Sequence, residues 1–66
     1  MYSWWAVRIT YQDRITWEIH RRPFMYPRAR IEKEIMSGNS DIVDVRARMF
    51  VSGNQAMKYA DKKGRI

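Results

Sequence analysis

The 66-residue chain has no cysteine, one histidine, two prolines and three glycines. Without cysteine, neither a disulfide nor a thiolate-bound zinc can hold so small a fold together, and packed side chains or a partner chain must do so. A domain of this length buries only about 60% of the surface its unfolded chain exposes. One core of this size supplies roughly 3–5 kcal/mol, which excludes a second domain and a deep substrate cleft. The lone His20 has no cysteine or serine spaced against it as a nucleophile, and no ligand spacing surrounds it, so neither catalytic, metal nor cofactor residues are expected. Gly38, Gly53 and Gly64 are isolated and form no phosphate-cradling loop. Asp13, Glu18, Asp41 and Asp44 lie among arginines, a setting for ion pairs rather than for a proton-donating acid.

Long apolar runs are also missing; the longest is Trp4-Trp5-Ala6-Val7. That excludes a membrane-spanning helix and a secretory apolar region within these residues and makes the cytoplasm the expected compartment. Neither helical segment has the long basic amphipathic profile of an interfacial anchor, so a membrane partner is not expected.

Acidic residues are in short supply: seven Asp and Glu stand against thirteen Lys and Arg, for a net charge of +6. Such a field favours polyanions. Nine of the thirteen are arginine, whose planar fork grips phosphate and whose flat face stacks on rings. Three Trp, four Tyr and two Phe supply the bulk for packing.

Periodicity organises this material. Residues 4–11 alternate, with Trp5, Val7, Ile9 and Tyr11 on one side and Trp4, Arg8 and Thr10 on the other. Residues 15–21 alternate too, Ile15, Trp17 and Ile19 against Thr16, Glu18 and His20, and Gln12-Asp13-Arg14 joins the two strands as a hairpin. Pro23 ends the second strand. A short amphipathic helix opens at Pro27, carries Ile31, Ile35 and Met36 on its apolar stripe and Arg28–Glu32 and Arg30–Glu34 as ion pairs, and is capped by Gly38. Residues 42–51 form a third strand with Val43, Val45, Ala47, Met49 and Val51 inward and Asp44, Arg46, Arg48 and Phe50 outward. Ser52 with Gln55 makes a capping box for a second helix through Ala56, Met57, Tyr59 and Ala60. The segment 61–66 is a basic, frayed tail, and Met25, Met36, Met49 and Met57 read as core filler.

The order β-β-α-β-α predicts one α+β domain over residues 1–66, a three-stranded sheet with both helices on the Val/Ile/Trp face. The third strand lies either parallel beside the second or antiparallel beside the first. The other sheet face would then stand open, built from Trp4, Arg8, Thr10, Thr16, Glu18, His20, Asp44, Arg46, Arg48 and Phe50. Rings and guanidinium groups on an uncovered sheet suit RNA or single-stranded DNA, with bases stacked on the rings and phosphates on the arginines. The bland alternative is a solvated face on which Arg8 pairs with Glu18 and Arg46 with Asp44. A second candidate is the basic and aromatic run from His20 through Arg21, Arg22, Phe24, Tyr26 and Arg28 to Arg30, which ends on a helix N-terminus.

The expected function is therefore a non-enzymatic nucleic-acid-binding module that uses Trp4, Arg8, His20, Arg21, Arg22, Arg28, Arg30, Arg46, Arg48 and Phe50. The alternative is a small regulator or inhibitor that docks on an acidic surface of a larger protein, since Trp, Tyr and Arg also mark interface hot spots. Size and element order are similar in kind to those of small phage and mobile-element proteins that bind host enzymes, a resemblance of shape without a shared motif. Self-association as a homodimer is a third partner class, because pairing stabilises a chain this short.

Overall fold

The structure, a computed structural model, describes residues 1–64. Its elements are β1 (Tyr2–Tyr11), β2 (Ile15–Pro23), α1 (Arg28–Ser37), β3 (Ile42–Phe50) and α2 (Gly53–Gly64). The α+β class and the order β-β-α-β-α are those the sequence predicts. The sheet runs β2-β1-β3, antiparallel throughout, so β3 takes the antiparallel place beside β1.

The hairpin loop is Gln12-Asp13-Arg14, closed by the Tyr11 amide donating to the Arg14 carbonyl at 2.8 Å. This closure pairs Thr10 with Ile15 and Arg8 with Trp17. Directly opposed residues share a sheet face, so Ile15, Trp17 and Ile19 lie with Trp4, Ala6 and Arg8, while Thr16, Glu18 and His20 lie with Trp5, Val7 and Ile9. The expected placement of Thr16, Glu18 and His20 on the arginine side is thus reversed. A one-residue difference in register carries every side chain of a strand to the other face, and the loop, not the alternation of β2, sets that register.

Both faces consequently carry apolar groups, and each needs a cover. On the first, Trp5, Val7, Ile9, Val45 and Ala47 enclose Ile31 of α1 in a fully buried cluster, with Tyr11, Tyr26, Ile35 and Ile42 around it. On the second, α2 packs against all three strands. Gly53 approaches the Trp4 ring so closely that a Cβ there would lie 3.1 Å from it, and Gly64 sits over Trp17. Tyr59 meets Trp17 edge-on at 5.9 Å and Phe50 at 5.2 Å between ring centroids, and Ala56 is fully buried. The two helices therefore take opposite faces, against the expectation that they share one.

Local signals fare better. Ser52 Oγ accepts the Gln55 amide at 3.3 Å, capping α2 as expected. Pro27 lies just outside α1 as its N-cap, and Gly38 is the C-cap. The ion pairs expected within α1 are replaced: Glu32 accepts the Ala47 amide at 2.8 Å, Glu34 accepts the Tyr26 hydroxyl, and the Arg30 guanidinium lies 5.2 Å over the Tyr26 ring. An exposed i,i+4 pair is worth only a few tenths of a kcal/mol, so an edge amide or a phenol outcompetes it.

In β3 a register shift opposite Thr10 and Tyr11 pairs Ile42 with Tyr11 and turns Val43 out. Val45 and Ala47 are buried as expected, but Val43, Met49 and Val51 are exposed. The methionines are not core filler: Met25, Met36, Met49 and Met57 are all exposed. Of the basic segment 61–66, residues 61–64 form the last turn of α2, and Arg65 and Ile66 lie outside the described residues.

Candidate anion-binding surface

With α2 seated on the arginine side of the sheet, the open stacking platform expected from the sequence is not formed. Trp4 lies under Gly53 and Phe50 against Tyr59, so their rings serve packing. What stays accessible is the β3 flank of that face. Arg8 and Arg46 are direct cross-strand partners, and Arg48 follows two positions on, pointing the same way. All three are exposed. They line a shallow recess whose walls are Trp17, Tyr59 and the small Ala6.

The charge in this recess is scarcely compensated. Asp44 holds Arg46 from its outer side, at 3.1 Å to Nε, whereas Glu18, the other expected partner, is on the opposite face and pairs with His20 at 2.9 Å. Among the described residues, no carboxylate forms an ion pair with Arg8 or Arg48. The Arg48 guanidinium stands 4.9 Å over the Tyr59 ring and 5.7 Å over Phe50, and Lys63 Nζ stands 5.7 Å from the same Tyr59 ring. An aromatic face steadies a cation yet leaves its N–H donors for another partner.

Arg8 also lines a second groove at the hairpin end, together with Tyr11, Arg14, Trp17 and Lys63. Arg14 is held there by Asp13 at 3.1 Å and lies 4.0 Å over the Tyr11 ring. Lys63 of α2 thus extends the row begun on the sheet. Lys62 and Lys63 have a structural duty as well, since cations in a helix's last turn offset its dipole.

The second cluster predicted from the sequence is dispersed. Arg21 lies on the α2 face over Tyr2, at 4.6 Å, and Trp4, at 5.8 Å. Arg22 points to the other face, 5.7 Å over Tyr26, and donates to the Arg21 carbonyl at 2.9 Å. Arg28 stands beside Arg46 and Arg48 at the β3 edge, while Arg30 turns to Tyr26. His20 is taken up by Glu18, remote from the arginine row. The Tyr26 hydroxyl donates to Glu34, and this bond, more than burial, raises the phenol above its ordinary value of 10.0.

Three of the ten expected site residues, Arg8, Arg46 and Arg48, therefore line one recess, Arg28 adjoins Arg46 and Arg48 at the β3 edge, and Phe50 packs against Tyr59. Tyr59 and Lys63 complete the site; the sequence places Tyr59 in the second helix and Lys63 in a basic tail that adds long-range attraction for a polyanion. The spacing Tyr59–Lys63, one helical turn, is the signal that joins them. No family model, no curated protein and no solved structure matches this chain.

Proposed function

We propose that the protein is a non-enzymatic binding module that holds RNA or single-stranded DNA by its phosphates, along Arg8, Arg46, Arg48 and Lys63. The observation that carries this reading is the direct opposition of Arg8 and Arg46 across β1 and β3. Like charges placed face to face on a sheet cost stability, on the order of 0.2–1 kcal/mol. A bridging phosphate turns that repulsion into two charge-assisted contacts. Because the aromatic rings are occupied under α2, contact falls on the backbone and carries little base preference.

Four phosphate contacts give a single strand a slope of log affinity against log salt of about −3. Fluorescence anisotropy of a labelled oligonucleotide titrated at two salt concentrations measures it. Arg46→Ala should weaken binding for all sequences alike and reduce the slope by about one. Absence of binding at about 50 mM salt defeats the reading.

An exposed apolar pole favours a second reading, docking as a regulator on a larger protein. Tyr2, Phe24, Met49 and Val51 are all exposed there and line one recess with Met1, and Arg21 stands over Tyr2 at its rim. A partner of this kind is retained from nuclease-treated lysate, whereas one bridged by nucleic acid is lost.

A further inference from the structure

We infer that the protein pairs with a second copy of itself, antiparallel, along the free edge of β2. The two edges of the sheet are treated differently. That of β3 is guarded: α1 lies against it, Glu32 takes the outward Ala47 amide at 2.8 Å, and the register shift bends the strand near Ile42. Because Ala47 turns its amide away from β1, its cross-strand partner Val7 directs its own amide and carbonyl to Glu18 on the other side. Backbone groups alternate along a strand, so Ile15, Trp17, Ile19 and Arg21 direct theirs away from the sheet. No helix, loop or bulge covers them among the described residues; the one contact there is the Arg22 side chain on the Arg21 carbonyl, which keeps a second lone pair. Pro23, which has no N–H to offer, has the same parity at the end of this edge.

A strand of nine regular residues with an unguarded edge is a template for another strand. The sequence of β2 selects its own copy. A two-fold axis at Ile19 sets Ile19 against Ile19 of the second copy, Trp17 against Arg21 and Glu18 against His20. Each pairing is favourable: apolar on apolar, guanidinium by indole, carboxylate by imidazole. Moving the axis to Glu18 sets two carboxylates face to face, and moving it to His20 opposes two imidazoles and leaves Ile19 against Arg21. The Ile19 register satisfies all three pairs and, because Ile19 is the middle residue of Ile15–Pro23, also pairs the strand over its full length, which an axis at Trp17 does not. It makes a continuous six-stranded sheet with both α2 helices on one face, so the two arginine rows end on the same side of the dimer.

Sedimentation equilibrium over a range of concentrations, with far-UV circular dichroism as a check on folding, tests the inference. The wild-type chain should associate to a dimer. Arg21→Pro removes an outward amide that β1 does not use, and should weaken the dimer about tenfold or more. Ile19→Cys adds an independent reading that does not depend on how the proline variant folds. Its two copies would face each other at a Cα separation of about 5.5 Å, within disulfide range, in a chain with no other cysteine. Mild oxidation should lock Ile19→Cys as a covalent dimer and leave Val43→Cys, exposed near the other edge, monomeric. A chain that stays monomeric at every concentration overturns the inference. So does a dimer in which Ile19→Cys fails to cross-link, because that dimer uses another surface.

Discussion

The carboxylate of Glu32, on α1, accepts the backbone amide of Ala47, on β3, at 2.8 Å. A helix side chain thus does for the sheet edge what a further strand would do, and it ties α1 to the strand it covers. Ala47 is buried, its bond to Glu32 is partly buried at the sheet edge, and no second acceptor takes this amide among the described residues. Glu32→Ala should therefore cost about 1–3 kcal/mol, the range for a buried donor left unsatisfied, read from the urea midpoint at unchanged m-value. Glu32→Gln keeps an acceptor in place and should lose about 1 kcal/mol or less. Equal losses in the two variants would show that packing, not the hydrogen bond, is what Glu32 supplies.

Ala56 tests the seating of α2. It is fully buried where the helix crosses the sheet, between the approaches of Gly53 to Trp4 and of Tyr59 to Trp17. Ala56→Leu adds volume with no space to hold it and should destabilise by about 1–3 kcal/mol. The emission of Trp4 and Trp17 should shift to the red as α2 lifts. If the arginine side of the sheet were open to solvent, position 56 would tolerate leucine at no cost, so a neutral result returns the stacking platform to consideration.

Much of this architecture is legible in the sequence, and the part that is not has one cause. Alternation locates all three strands, and the spacing of Ile31 and Ile35 and the Ser52 cap locate the helices. The relation between strands is harder, because Ile15, Trp17 and Ile19 look alike whether they join Val7 or Arg8. Four residues between Thr10 and Ile15 decide the matter through the Tyr11–Arg14 closure. Once β2 is turned over, α2 must cover the second face, and Trp4 and Phe50 change from candidate platforms to packing. Arg8, Arg46 and Arg48 survive as a group because alternation alone puts Arg46 and Arg48 on one side of β3, and the antiparallel pairing, which the sequence left open, sets Arg46 opposite Arg8. The run from Arg21 to Arg30 does not, because consecutive residues at the end of a strand point to opposite faces.

Tyr26 links stability to pH at the alkaline end. Its hydrogen bond to Glu34 raises the phenol above 10.0 in the folded chain. The folded state thus holds this proton more firmly than the unfolded state does. The resulting stability is fully present below pH 10 and is lost as pH rises through the raised folded value. Other tyrosines titrate nearby, so the test is a difference. Between about pH 8 and pH 11 the melting temperature of Tyr26→Phe should fall less than that of the wild type. Glu34→Gln, which removes the charge that disfavours tyrosinate, should behave like Tyr26→Phe. A parallel decline in all three chains would mean that the Tyr26–Glu34 bond does not persist in solution.

Arg8 separates stability from binding most cleanly. It faces Arg46 on one side and Trp17 on the other, and no ion pair with a carboxylate offsets it among the described residues. Arg8→Glu converts a like-charged cross-strand pair into an opposite-charged one, and opposite pairs contribute about 0.2–1 kcal/mol. The variant should therefore unfold at a higher urea concentration than the wild type. The same change puts a carboxylate in the phosphate row, so oligonucleotide affinity should fall at every salt concentration and the salt slope should flatten by about one or more. A purely structural arginine would give the opposite pattern, since removing it would lower stability and leave binding alone. Gain in one measurement with loss in the other is what residues selected for a ligand, and held against their own repulsion, are expected to show.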